Sequence, residues 1–183
     1  MRKKGSRRLV IDASVARSAG QTEHPMSRSC REFLDEVRKV CHKVVMTREI
    51  EREWTARPTM FSSLWLGAME RRRKVAWAHR SENASLRDDI NRSGLGGADR
   101  QLVQRDVHLV EAALATGLTV ISRDDAVRRL LSGISGTVGL LKKIVWVNPV
   151  SQATDVLAWL AQGAPPVKAW QLGSKRGFAS QDS

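Results

Sequence analysis

Four carboxylates stand where the pattern of the chain suggests chemistry. Asp12 closes the apolar run Leu9 to Ile11 in "RRLVIDASVARSAG". Asp124 follows a second apolar run in "LTVISRDD". Asp106, in "QRDVHLVEAAL", precedes Leu109 and Val110 by three and four residues, so it flanks an apolar stripe, unlike Glu111. Glu53, in "TREIEREW", is three residues after Ile50 and next to Trp54, whereas Glu51 points away. Four carboxylates at one place would repel, by about 4 kcal/mol for a pair ~4 Å apart at an effective dielectric of about 20. Some could stay protonated, or a divalent cation could neutralise them. An all-oxygen set without clustered Cys or His suits Mg²⁺ or Mn²⁺. The plain alternative for each acid is a turn or a helix cap. Asp124 or Asp125 could cap the next helix, Asp99 reads as a cap, and Asp88 and Asp89 read as solvated helix surface.

Such acids meet only if the elements beneath deliver them to one edge. Four short, continuous, β-branched runs read as buried strands: Leu9 to Asp12, Lys43 to Met46, Leu118 to Ser122 and Ile144 to Val147. Helical spacing links Phe33, Leu34, Val37 and Cys41 over 27–41. Thr47 can cap a helix to about Ala56. A long stretch after Pro58 puts Phe61, Leu64, Trp65, Ala68 and Met69 on one face. A further helix carries Val103, Val107, Val110 and Leu114, with Gly117 as a left-handed stop. Residues 125–131 and 151–160 also read as helices. Strands alternating with helices predict a three-layer α/β/α sandwich on a central parallel sheet of four or five strands. In such a sheet every strand ends at one edge, and ligands bind there. Asp12 and Asp124 would arrive at that edge from distant parts of the chain.

The chain has 183 residues, enough for one domain with a sizeable core. A basic arm is expected over 1–7, the folded domain over 8–162, and a flexible tail over 163–183, beginning near Pro165-Pro166. No apolar stretch reaches the ~18 residues of a membrane span, and no secretory apolar run follows the basic start. Those features predict a cytoplasmic protein without a membrane partner. Cys30 and Cys41 fall on one expected helix about 16 Å apart, too far to bridge, and read as core thiols. With 31 Lys and Arg against 19 Asp and Glu, the net charge is +12. A nucleic-acid partner is the first expectation for such a balance, and a plain solvated surface is the second.

The blocks "LVIDAS", "VVMTREIEREW", "RDVHLVEAALATGLTVISRDD" and "IVWVNP", in that order over residues 8 to about 149, resemble the PIN-domain nucleases. The third block is the most specific. The resemblance implies a compact α/β/α fold that holds one or two Mg²⁺ or Mn²⁺ ions in an acidic pocket and cuts RNA, usually single-stranded. By position it makes Asp12 the first-strand acid, Glu53 the acid before an aromatic, Asp106 the helix-start acid and Asp124 the acid after the third strand. Ser122 takes the Ser/Thr position and Ser14 lies two after the first acid, both as supports, and Asp125 is an alternative to Asp124. Many bacterial members are VapC-type toxins held by a small antitoxin, and members often pair as homodimers. This chain is longer and more basic than that pattern.

An acidic pocket repels RNA, so cations must flank it. Arg123, between Ser122 and Asp124, is nearest in sequence. Arg71, Arg72, Arg73 and Lys74 form a run whose alternative is a solvated helix face. Trp65 reads as core or dimer packing, and Trp77 could stack a base. His24, His42, His79 and His108 show no triad or ligand spacing. A PIN-like module that grips RNA or protein without cutting is the second reading. A nucleotide-binding fold is disfavoured, because "GLGG" at 94–97 does not join a strand to a helix.

Overall fold

The structure, a computed structural model, describes residues 5–174. Its strands are β1 (Arg8–Ile11), β2 (Lys43–Met46), β3 (Val75–Trp77), β4 (Thr119–Ile121) and β5 (Val145–Val147). They pair in parallel in the order β3-β2-β1-β4-β5. The helices are α1 (Ala13–Ser18), α2 (Pro25–Val40), α3 (Arg48–Ala56), α4 (Met60–Arg71), α5 (Ala84–Arg92), α6 (Gly97–Leu114), α7 (Asp125–Ile134) and α8 (Ala153–Ala161). From β1 the chain steps outward to β2 and β3, then crosses back to β4 and β5. Right-handed crossovers therefore put α1 to α4 on one face and α5 to α7 on the other. Helix α8 returns against α2. The result is the expected three-layer α/β/α sandwich.

The strands are continuously apolar because both faces are covered. Leu9, Val10, Ile11, Val44, Val45, Val120, Ile121, Trp146 and Val147 are all buried. Helix α2 buries Cys30, Phe33, Leu34 and Val37 at the expected spacing. Thr47 caps α3 by accepting from the Ile50 N–H. Trp65 is core, its indole donating to the Leu34 carbonyl at 2.6 Å.

Several expectations need correction. The long helix after Pro58 stops at Arg71, and "VAW" becomes the edge strand β3, paired with Val44 to Met46. Arg73 makes the turn with φ 55°. Leu64, placed on the buried face by periodicity, is 66% exposed, because α4 turns Trp65 and Met69 inward instead. Cys41 is an exposed residue at the left-handed end of α2 (φ 66°), not a core thiol. Asp99 lies inside the first turn of α6 rather than capping it. The stretch after 162 is docked as far as Ser174. Trp170 packs edge-on against Trp159 with ring centres 5.5 Å apart, Leu172 is buried, and its N–H donates to the Ile144 carbonyl. Residues 175–183 of the expected tail and 1–4 of the expected arm lie outside the described residues.

Gly117 is needed for a different reason from the one its position suggests. The left-handed residue is its neighbour Leu118, φ 56°. A Cβ on Gly117 would come within 2.3 Å of the Arg8 carbonyl oxygen. Only glycine lets the α6–β4 turn pass so close to the start of β1. Gly117→Ala is therefore expected to destabilise the fold by about 1–3 kcal/mol, as overpacking does; urea denaturation checks this.

His42 ties the same end of the sheet to the last helix. Its Nδ1 accepts from the Arg7 backbone N–H at 3.0 Å. Nε2 therefore carries the proton and donates to the Leu160 carbonyl at 3.1 Å. Burial holds the imidazole below its ordinary 6.5; the Leu160 bond and Glu36 oppose the shift, and Arg7 and Lys74 reinforce it. On acidification the unfolded chain takes up this proton first. The contribution of His42 is thus complete above about pH 6.5 and lost as pH falls towards its folded pKa. The difference in unfolding free energy between the wild type and His42→Gln should shrink from about pH 7.5 to about pH 5.

Candidate functional site

The strand order reverses between β1 and β4, which makes the crevice at their C-terminal ends the topological switch point. Ile11 is level with Ile121 in the parallel register, and the Asp12 N–H donates to the Ile121 carbonyl at 2.9 Å. That register sets Asp12 beside Ser122. The Ser122 hydroxyl donates to Asp12 Oδ2 at 2.7 Å, and the Ser14 hydroxyl donates to the same oxygen. Asp12 Oδ1 accepts from the Ser14 N–H at 3.1 Å and caps α1. The Trp54 indole donates to the Ile11 carbonyl at 2.9 Å, pinning the strand end from α3. Asp12 is thus buried and oriented by two hydroxyls.

Asp124 follows β4 and caps α7, its Oδ1 accepting from the Val127 N–H at 2.8 Å. Asp125 turns aside to accept from the Asn148 side-chain amide at 2.8 Å. The doublet is thereby divided: Asp124 stays at the crevice and Asp125 fixes the loop. Arg123 donates its backbone N–H to Ser14 Oγ at 3.3 Å, and its guanidinium donates to Ser18 Oγ.

Asp106 is not at a helix start. It sits in the middle of the 18-residue α6, which packs against β1 and β4. Burial, then the charge of Asp12 and more weakly that of Asp124, push its carboxyl up to about 6. Arg105, 3.4 Å away and largely solvated, pulls the other way. Asp106 therefore feels the negative charge of both Asp12 and Asp124.

Glu53 is engaged elsewhere. Its Oε2 lies 3.3 Å from Nε2 of the buried His108, and Glu49 lies 3.9 Å from Nδ1. The contact with Glu53 is close but poorly aligned for a hydrogen bond. Burial lowers the His108 pKa, but Glu53 and Glu49 outweigh it and the net shift is upward. Among the described residues, no group of three or more His, Cys, Asp and Glu side chains closes to metal-holding distance.

No family model, curated protein or solved structure matches the chain.

Over the ends of β2 and β3 lies a cleft of about 600 Å³ lined by Arg48, Arg52, Arg80, His79 and His108 and also by Glu49, Glu82 and Glu111. Trp77, 43% exposed, stacks on His79 with ring centres 5.8 Å apart and planes at 7°. Arg71, Arg72, Arg73 and Lys74, expected to flank the acids, do not. They precede β3 and so stand at the opposite, N-terminal edge of the sheet.

Sequence reasoning missed two residues here. Glu111, read as not flanking the apolar stripe, is 1% exposed. It accepts a two-pronged contact from Arg87, both arms at 2.7 Å, and the Asn83 N–H at 2.9 Å. Asn148, in "IVWVNP", holds both the loop after β4 and its own turn. Its signal was available: a polar residue directly after an apolar strand, as with Asp12.

Proposed function

We propose that this protein is a metal-dependent endoribonuclease that hydrolyses phosphodiester bonds of single-stranded RNA at the Asp12, Asp106 and Asp124 crevice. What supports this reading is that Asp12 and Asp124 stand at the β1–β4 switch point and that burial and their charge raise Asp106 on α6, against a solvated Arg105. The donor set fits a hard divalent cation in chemistry: all oxygen, anionic and short of positive charge. Asp12, Asp106 and Asp124 would hold it, and Glu53 joins them only by giving up His108. When bound, Mg²⁺ or Mn²⁺ supplies a water of lowered pKa and neutralises phosphate charge. Ser14 and Ser122 keep the Asp12 carboxylate fixed towards the crevice, which avoids reorganisation during reaction. Arg123 and the arginines of the neighbouring cleft offer phosphate contacts. A PIN-type nuclease, cytoplasmic, with an antitoxin-like protein or a second copy as further partner, belongs to this same reading.

The test is cleavage of single-stranded RNA with Mn²⁺ or Mg²⁺, stopped by EDTA and restored by added metal. Glu53→Gln is expected to reduce the rate by about 10–100-fold, the range for a group that acts through its neighbours. A larger loss than that of Asp12→Asn would reverse the proposed ranking. The engagement of Glu53 with His108 favours one second reading, a PIN-like module that binds RNA or protein without cutting. It predicts RNA binding with no Mn²⁺ heat in calorimetry.

A further inference from the structure

Arg71 to Lys74, expected beside the acids, gather instead with other cations on the far edge of the sheet. Register places Arg8 beside Lys43, and the Lys43 N–H donates to the Arg7 carbonyl at 2.8 Å. Val44 pairs with Val75, and its N–H donates to the Lys74 carbonyl at 2.9 Å, so Lys74 flanks Lys43 on the other side. Neighbouring strands are about 4.8 Å apart, so Arg8, Lys43 and Lys74 form a row roughly 10 Å long. Arg71, Arg72 and Arg73, all exposed, lead directly into Lys74. None of these seven side chains forms an ion pair among the described residues. Asp35 and Glu36 of α2 are already held by Arg38 and Lys39, and Glu70 adjoins the arginine run.

Like charges set side by side on adjacent strands are destabilising. The row therefore costs the isolated fold stability that an anionic partner would return. We propose that this edge, with Arg7, Arg8, Lys43, Lys74 and the preceding arginines, is a second nucleic-acid surface that grips backbone phosphates of a folded RNA. It is independent of the acidic crevice, which lies at the other end of the strands. Arg8 and the Arg71–Arg73 run are exposed cations with Leu118 as an exposed apolar neighbour, a surface that suits phosphates. Backbone contacts of this kind position an RNA without reading its sequence.

The experiment measures binding of a fluorescein-labelled RNA hairpin by anisotropy across a salt series, in EDTA. Lys43→Gln/Lys74→Gln is expected to weaken binding at least about tenfold at ~0.1 M salt and to make the log–log salt slope shallower by about two. Its melting temperature should be unchanged or higher, since repulsion is relieved. The exposed single variant Arg8→Gln should lose about one unit of slope. Arg17→Gln/Arg129→Gln removes the same charge elsewhere and should change the slope little. An unchanged slope in the Lys43/Lys74 variant, or an equal loss in the Arg17/Arg129 control, overturns the proposal. So does tighter binding to phosphatidylglycerol vesicles than to the hairpin. All readouts are made without metal, so a failed nuclease assay leaves them interpretable.

Discussion

Asp12→Asn should abolish metal-dependent RNA cleavage while leaving the fold in place. The substitution keeps the shape of the side chain and an oxygen to accept from the Ser14 N–H, so the cap of α1 survives. The hydroxyls of Ser14 and Ser122 can reorient to accept from the new amide. What disappears is the charge at the centre of the aspartate field. Losing the metal and the activated water with it should cost several kcal/mol of transition-state stabilisation, about 10³-fold or more in rate. The repulsion that holds Asp106 up also weakens, so thermal stability should be equal or slightly greater. Single-turnover cleavage and a thermal melt on the same preparation check both halves. Undiminished cutting would remove Asp12 from the mechanism, and a collapsed melt would make its role structural.

The second large effect is on stability. Arg87→Ala should destabilise the protein by about 2–4 kcal/mol. Glu111 is buried, and Arg87 is the cation that satisfies both its oxygens. Removing one partner of a buried pair strands the other charge, typically at about 3–5 kcal/mol. The expectation is set lower because Arg87 itself is 40% exposed, which lets water reach the gap. Arg87→Ala/Glu111→Gln should recover part of the loss, because no buried charge then remains. Urea denaturation of the wild type, both single variants and the double gives the coupling directly. Equal stability of Arg87→Ala and wild type would mean that the pair contributes nothing to the fold.

How far the sequence reveals this molecule follows from the physics of each element. Strands β1, β2, β4 and β5 are legible because burial on both faces writes them as short continuous apolar runs. Strand β3 is not, since "VAW" directly continues the apolar helical pattern of α4, and only the left-handed turn at Arg73 separates them. With β3 unseen, nothing in the sequence shows that Arg71 to Lys74 stand at the N-terminal edge of the sheet. Asp12 and Asp124 are legible because a strand end in a parallel sheet has a known edge. Asp106 is legible as an acid beside an apolar stripe, but its place along the helix is not, for α6 starts at "GGAD" without a side-chain cap. Glu111 was misread because its partner lies 24 residues earlier on α5. Periodicity sees the stripe and not the arginine that lets a carboxylate join it.

The account stands most directly on whether the three aspartates take a cation. Crystals of the protein soaked in Mn²⁺, measured at a wavelength where manganese scatters anomalously, give the answer in one map. The expected result is an anomalous peak bounded by Asp12, Asp106 and Asp124 that is absent from the Asp12→Asn protein. A crevice without a peak at saturating Mn²⁺, or a peak held by other residues, contradicts it.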